Sequence, residues 1–489
     1  MTLTMQDFFP ILPEIFLLAM IALILVVDVF LPEHYRIFTY QLSQVTLVGV
    51  AALVLVVQPE QPVLGFHDTF VNDSLATLLK TCIVLVTFFV FVYSKPYLRD
   101  RNLFNGEYFI LGLMAVLGML ILVSAHSLLT VYLGLELLSL SLYAMVGLHR
   151  ESAAASEAAM KYFVLGALAS GMLLYGMSLL YGVTGTLDLA GIARYPIGGT
   201  GEDLLGQSFA GSDLVLTVGL IFVLVGIAFK LGAAPFHMWV PDVYQGAPTA
   251  VTLFIGTAPK IAAFAMLMRL LVDGLIGLQG DWVRMLIILA VLSMAIGNIV
   301  AISQTNLKRM LAYSTIAHAG FLLLGVIAGT KAGFSASVFY VLVYTLMAAG
   351  GFGMIILLSR AGAESDQLDD FKGLNERSPW YAFLMLILML SMAGVPPFLG
   401  FWAKWSVLRE IVAVDMAWLA VVAVCFAVIG LFYYLRVVRL MYFNAPHDRT
   451  PIQPEMGMRV MLGTNALAIL ALGLYPGALM TVCVAVISP

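Results

Sequence analysis

The sequence predicts an all-α polytopic membrane protein of about 14 transmembrane helices, built as two inverted five-helix repeats (spans 4–8 and 9–13) with broken helices 7 and 12. Three observations carry this prediction. Of 489 residues, 62% are hydrophobic and only 11% charged, and the mean hydropathy is +1.01; a soluble chain carries roughly a quarter charged residues. The apolar runs are about 20 residues long, which is helix-crossing length rather than the roughly 10-residue alternation of a membrane barrel strand. A glycine- and proline-interrupted motif occurs twice, each time inside an over-long apolar run.

Counting apolar runs between charged or Gly/Pro-rich breaks places spans at 11–31, 40–57, 74–94, 107–124, 128–149, 157–182, 212–239, 248–272, 281–301, 308–329, 333–359, 379–411, 414–442 and 459–484. Basic residues then sort by loop. Odd-numbered loops carry Arg36, Lys95, Arg99, Arg101, Arg150, Lys308, Arg309, Arg360, Lys372, Arg377, Arg436, Arg439, Arg449 and Arg459; even-numbered loops carry little beyond Arg194, Arg284 and Lys331. By the positive-inside rule the odd loops are cytoplasmic and both termini lie on the opposite side. MTLTMQDFFP lacks the positive start of a cleaved signal, so the first run is expected to be retained. Cys82, Cys425 and Cys483 are isolated, and neither a CxxC pair nor a His/Cys cluster suggests a disulfide framework, zinc or an iron–sulfur site. The net charge of −4 is spread over loops and gives no case for nucleic acid.

The repeat is faint but colinear. GAAPF (232–236) returns as GVPPF (394–398) at an offset of 162, SLLTVYLGLELLSL (127–140) lies over NLKRMLAYSTIAHA (306–319) at 179, and AAMKYFVLGALASG (158–171) over ASVFYVLVYTLMAA (336–349) at 178. Five spans is an odd number, so the units have opposite membrane orientation. The chain divides as 1–106 (spans 1–3), 107–274, 275–443 and 444–489 (span 14). Inverted repeats with broken helices are a transporter architecture, because unwound backbone is tolerated only where it is buried or lines a wet cavity.

An ionisable residue at a span centre costs about 2.5–3.5 kcal/mol even on insertion scales, so several in one chain need a reason. Glu136 is central in span 5, and Lys230 precedes the break of span 7. Lys260 follows Pro259 in span 8, and Lys404 follows the break of span 12. His237 closes the span 7 break, His318 lies in span 10, and Lys161 stands four residues after Glu157 near the end of span 6. For His237, His318 and Lys161, a helix–helix hydrogen bond or an interfacial (i, i+4) pair is a competing explanation. Arg269, Asp273, Lys308, Arg309, Arg436 and Arg439 fall at span ends, where snorkelling accounts for them. Burial disfavours a charged amine and a neighbouring carboxylate restores it, so one acid and three amines on separate helices form a proton relay. Sodium translocation is the other reading of the same residues.

The motifs GLELLSLSLYAM, FKLGAAPFHMWVPDVYQGAPT and SQTNLKRMLAYSTIAHAGF, with LPEI and GLNERSPW…GVPPFLGFWAKW, resemble the antiporter-like membrane subunits of respiratory complex I, the proton-pumping NADH:quinone oxidoreductase, and its N-type branch most of all. The resemblance covers essentially the whole chain. It implies Glu136 and Lys230 as a gating pair, Lys260 as the central relay and Lys404 as the exit or storage site, with His237, His318 and Lys161 secondary. It also implies a subunit without its own redox centre, the NADH, FMN, iron–sulfur clusters and quinone belonging to other subunits. Expected partners are an M-type antiporter-like subunit on one side, small K- and J-type subunits on the other, the lateral helix of an L-type subunit, and lipids, in a bacterial inner membrane with both termini periplasmic. Mrp-type cation/proton antiporters and membrane hydrogenases share the central motif, and a purely structural scaffold is the third alternative.

Overall fold

The computed structural model describes residues 8–196, 209–359, 363–446, 449–450, 452 and 454–487; Arg360 and residues 1–7 lie outside them. Spans 1–6 are the helices Leu12–Phe30, Ile37–Val56, Ser74–Asp100, Gly106–Val123, Leu128–Val146 and Ala153–Thr184. Span 7 is Phe209–Leu231 plus Trp239–Gly246. Span 8 is Thr249–Ile255 plus Ala258–Leu267, closing in a π-helical turn, Met268–Gly274. Spans 9–11 are Gln279–Ile302, Leu307–Ile327 and Lys331–Leu358, and span 13 is Ala417–Phe443. Span 12 is Pro379–Ala393 plus Leu399–Ala413, and span 14 is Met456–Leu474 plus Gly477–Ile487. Among the described residues 13 helices are each long and apolar enough to cross a membrane; span 12 is the fourteenth, divided into two 15-residue halves. Asp73, Ser127, Ser152, Asn306 and Thr330 cap their helices by accepting a backbone N–H from the first turn.

Both expected breaks are present, with one correction each in extent or number. Gly232 (φ +77°) and Gly394 (φ +85°) adopt the left-handed conformation that ends each first half. Span 7 resumes at Trp239 and runs to Gly246, beyond the predicted end at 239. Span 8 has a break of its own at Gly256-Thr257, which the sequence reading ran through as continuous helix. The freed backbone is satisfied internally: the Ala234 N–H donates to Ser293 Oγ at 2.8 Å, and the Gly400 N–H to Ser391 Oγ at 3.0 Å.

The two repeats share construction details. The lone backbone bridges Ser127↔Asp188 and Asn306↔Gln367 are 179 residues apart at both ends, the offset seen in the sequence. Spans 4 and 5 touch where a Cβ on Gly118 would meet the Leu138 nitrogen at 2.6 Å and the Gly134 oxygen at 2.8 Å. Spans 9 and 10 do the same at Gly297, against the Ala317 nitrogen at 2.5 Å and the Tyr313 oxygen at 2.7 Å. Small residues at these crossings let backbones approach in a lipid setting, where packing rather than hydrophobicity drives association.

Spans 1–3 flank the first repeat and carry a charge pair that the sequence reading overlooked. Glu14 and Lys80 are 3% and 2% exposed and meet at 2.7 Å. A hairpin (Val63–Gly65 with Phe70–Asn72) places the Phe70 ring 4.7 Å from the Lys80 ammonium. Breaking such a pair strands a charge, whereas removing both partners need not. Glu14→Ala is therefore expected to cost about 3–5 kcal/mol, read as a loss of the chain from membranes on heating, while Glu14→Leu/Lys80→Met together remain close to the unaltered protein. Arg269 lies at the end of span 8 as expected but does not snorkel: at 4% exposed it holds Asp73 at 2.8 Å and Asp273 at 2.9 Å, and its Nε donates to Val123 O at 3.0 Å.

Candidate proton path

The first station is on spans 5–7. Glu136 projects from span 5 and accepts a hydrogen bond from Ser170 of span 6. Lys230, in the last turn before the span 7 break, donates to Ser139 Oγ at 2.6 Å, and Ser139 donates to Leu135 O at 2.5 Å. The expected Glu136–Lys230 pair is not in direct contact. Ser139, one turn along span 5 from Glu136, is the group that Lys230 touches. The sequence offered the signal, since Ser139 stands at i+3 from Glu136, on the same face. The Lys230 ammonium also lies 5.6 Å from the Tyr143 ring centre and 5.8 Å from that of Phe229.

Lys260 is the second station. It is 5% exposed, donates to Leu231 O at 3.1 Å and sits 5.2 Å from the Trp239 ring centre. Leu231 O is the carbonyl released where span 7 unwinds, so the break in one span anchors the amine of the next. Two small cavities meet at this residue. One, of about 10 Å³, is shared with Lys230, Tyr162 and Trp239; the other, of about 20 Å³, is shared with Thr315, His318, Tyr340 and Tyr344. A space of about 10–15 Å³ admits one water, so each cavity has room for about one.

The third station is built on spans 10–13. His318 is 4% exposed, with Nδ1 2.7 Å from the Tyr340 hydroxyl and Nε2 3.2 Å from that of Tyr434. Tyr434 continues to Ser314 at 2.5 Å. Lys404 donates to Met392 O at 3.1 Å and Ala393 O at 2.8 Å, and lies 5.1 Å from the Phe321 ring centre. The break carbonyl that holds Lys404 thus matches the one that holds Lys260: both precede the left-handed glycine. A hollow of about 560 Å³ between spans 12 and 13 reaches Lys404 past Phe401, Trp405 and Val428.

Two secondary candidates stand off this row. Lys161 has a 44% exposed side chain and pairs at 2.9 Å with both Glu157 and Asp242, and Asp242 also takes Arg309 at 2.8 Å. His237 is half-buried and its Nδ1 has no hydrogen-bond partner; no hydrogen bond ties it to Lys230 or Lys260. The structure brings Lys230 and Lys260 to one cavity and Lys260 and His318 to another, with Glu136 one turn from the Ser139 that Lys230 touches; no hydrogen bond ties Lys404, Lys161 or His237 to them. Sequence reasoning missed Ser139, Ser170 and the tyrosines around His318, which come from spans brought together only by the fold.

Residues 125–430 match the family described as NADH:quinone oxidoreductase/Mrp antiporter, transmembrane. The NADH-quinone oxidoreductase subunit N of Thioalkalivibrio sulfidiphilus is 58% identical over 488 residues, covering 100% of both chains. The chain belongs to this family. A chain of respiratory complex I from Thermus thermophilus has the same fold, with a TM-score of 0.80, 30% identity and coverage of 96% of this chain and 98% of that one. A chain of the Mrp complex from Dietzia sp. DQ12-45-1b is similar at a TM-score of 0.84, covering 99% and 97%, but at 20% identity that likeness speaks for the fold alone. In this family the antiporter-like fold is thus common to redox-driven and Mrp assemblies, while the full-length sequence similarity lies with the oxidoreductase subunits.

Proposed function

We propose that this chain is the N-type proton-translocating membrane subunit of a bacterial NADH:quinone oxidoreductase, relaying protons through Glu136, Lys230, Lys260 and Lys404 while quinone reduction elsewhere in the complex drives it. One observation carries the reading: Lys260 shares one water-sized cavity with Lys230 and another with His318, so that two amines and a histidine line adjoining spaces. A buried amine is suited to such work because its charge responds strongly to neighbouring charges. Glu136 is the gating partner of Lys230, acting through Ser139 and Ser170; Lys260 is the central relay, His318 with its tyrosines the bridge, and Lys404 the exit or storage site. His237 and Lys161 keep only accessory roles, at the break and at the basic-loop surface.

On this reading the chain contributes no redox centre, its odd loops face the cytoplasm, and both termini are periplasmic. Its neighbours are an M-type antiporter-like subunit on one side, small K- and J-type subunits on the other, the lateral helix of an L-type subunit, and lipids. Native membranes test the assignment. Solubilised and resolved without denaturation, the chain is expected to comigrate with NADH:quinone reductase activity. Migration alone, or with a cation antiporter, would remove it from complex I.

A further inference from the structure

A polar cleft of about 510 Å³ opens on the face formed by the basic loops. Its walls come from the end of span 3, the loop before span 6, the turn between spans 7 and 8, the start of span 10 and the loop before span 12. Glu364 lies on its floor. It accepts from Tyr97 at 3.0 Å, from Arg101 Nη2 at 2.9 Å and from the Thr249 hydroxyl, and it faces Lys308 at 3.8 Å. Asp100, His149 and Asp366 complete the titratable groups of the lining. Burial alone would raise the Glu364 pKa, but Lys308, Thr249, Arg101 and Tyr97 bring it below the ordinary carboxylate value, so the group is a fixed negative charge at neutral pH.

Lys308 closes the inner end of the cleft. It is 2% exposed, and its ammonium donates to Ala247 O at 2.7 Å. Snorkelling to water does not describe it, contrary to the sequence expectation for a span-end lysine. Along span 10, Lys308, Thr315 and His318 fall at i, i+7 and i+10, on one helix face. The first two are separated by about 10 Å of helix rise. Tyr344 donates to Thr315 Oγ1 at 2.8 Å, and Thr315, Tyr344, His318 and Lys260 share the 20 Å³ cavity. Beside Thr315 and Tyr344 lies the Tyr244 hydroxyl, fully buried and set against the Thr315 hydroxyl. Tyr244 stands three residues before Ala247, whose carbonyl takes the Lys308 ammonium, so its hydroxyl falls on the inner leg between Lys308 and the cavity.

We propose that this cleft is the proton intake of the path, with Glu364 gathering protons at its floor and Lys308 passing them along the Thr315–Tyr244 leg to the Lys260–His318 cavity. The proposal rests on the relay reading above and supplies its entrance. Each transfer moves one proton: the Lys308 ammonium gives one inward, and the resulting amine takes one from water in the cleft. Glu364 acts by its charge, which raises the local proton concentration at the mouth.

The test uses the whole complex in inverted membrane vesicles, with assembled complex quantified on native gels. Intake limits turnover when protons are scarce. Glu364→Gln is therefore expected to lower proton-coupled NADH:quinone turnover about threefold at about pH 8 and to leave it nearly unchanged at about pH 6. Glu364→Asp restores the profile. Tyr244→Phe, which removes one hydroxyl from the inner leg, shows the same dependence and serves if Glu364→Gln does not assemble. An equal drop at both pH values would mark a structural role and overturn the proposal, as would no change at either. The relay reading fails separately, if Lys260→Met still pumps; Lys260→Met inactive with a flat Glu364→Gln and Tyr244→Phe profile sinks the intake alone.

Discussion

Replacing Lys260 by methionine is expected to lower proton-coupled NADH:quinone turnover by at least about tenfold in a complex that still assembles. The argument is one of position. Lys260 is the titratable group on which both small cavities converge, so without it a proton has no carrier between Lys230 and His318. Methionine is close to lysine in length and is tolerated in packed interiors. The change does orphan Leu231 O, the acceptor of the Lys260 hydrogen bond, at a cost of about 1–3 kcal/mol. That is smaller than the stability of a large assembly and separable from the loss of transport. Vesicle acidification driven by NADH, normalised to assembled complex on a native gel, checks it.

Gly297→Ala is expected to remove the chain from the membrane rather than to slow it. The added Cβ would stand 2.5 Å from the Ala317 nitrogen and 2.7 Å from the Tyr313 oxygen, both backbone atoms that cannot rotate away. Forcing spans 9 and 10 apart exceeds the usual overpacking cost of about 1–3 kcal/mol, because the whole crossing shifts. Gly118→Ala, its equivalent in the first repeat, is expected to fail in the same way. Gly171→Ala, which meets nothing within 4 Å, is expected to be neutral. Immunodetection of the chain in washed membranes distinguishes the three.

The features legible in the sequence were those written locally. Proline beside glycine inside an apolar run marked the breaks of spans 7 and 12, and the cost of charge in lipid singled out Glu136, Lys230, Lys260 and Lys404. The break in span 8 was hidden because Gly256 and Thr257 are tolerated inside helices, and Pro259 sits where a helix accepts it, near the first turn. Glu14, Lys80 and Lys308 were passed over for a different reason. Each lies near a span end, where water is the natural neighbour, and each meets a distant segment: the hairpin at 63–72 for Lys80, Lys80 itself for Glu14, and the Glu364 loop for Lys308. Ser139 was within reach of helical spacing. The hydroxyls of Tyr340 and Tyr434 were not, because spans 11 and 13 bring them to His318 only on folding.

The central claim is that protons pass by way of Lys230, Lys260 and Lys404. The most direct measurement is the number of protons translocated per NADH oxidised by purified complex in proteoliposomes, compared between the unaltered chain and Lys260→Met at equal complex content. The account predicts that the variant loses proton translocation through this subunit, so that the ratio falls or coupled turnover stops with it. An unchanged ratio at an unchanged rate would show that Lys260 carries no protons and would contradict the account.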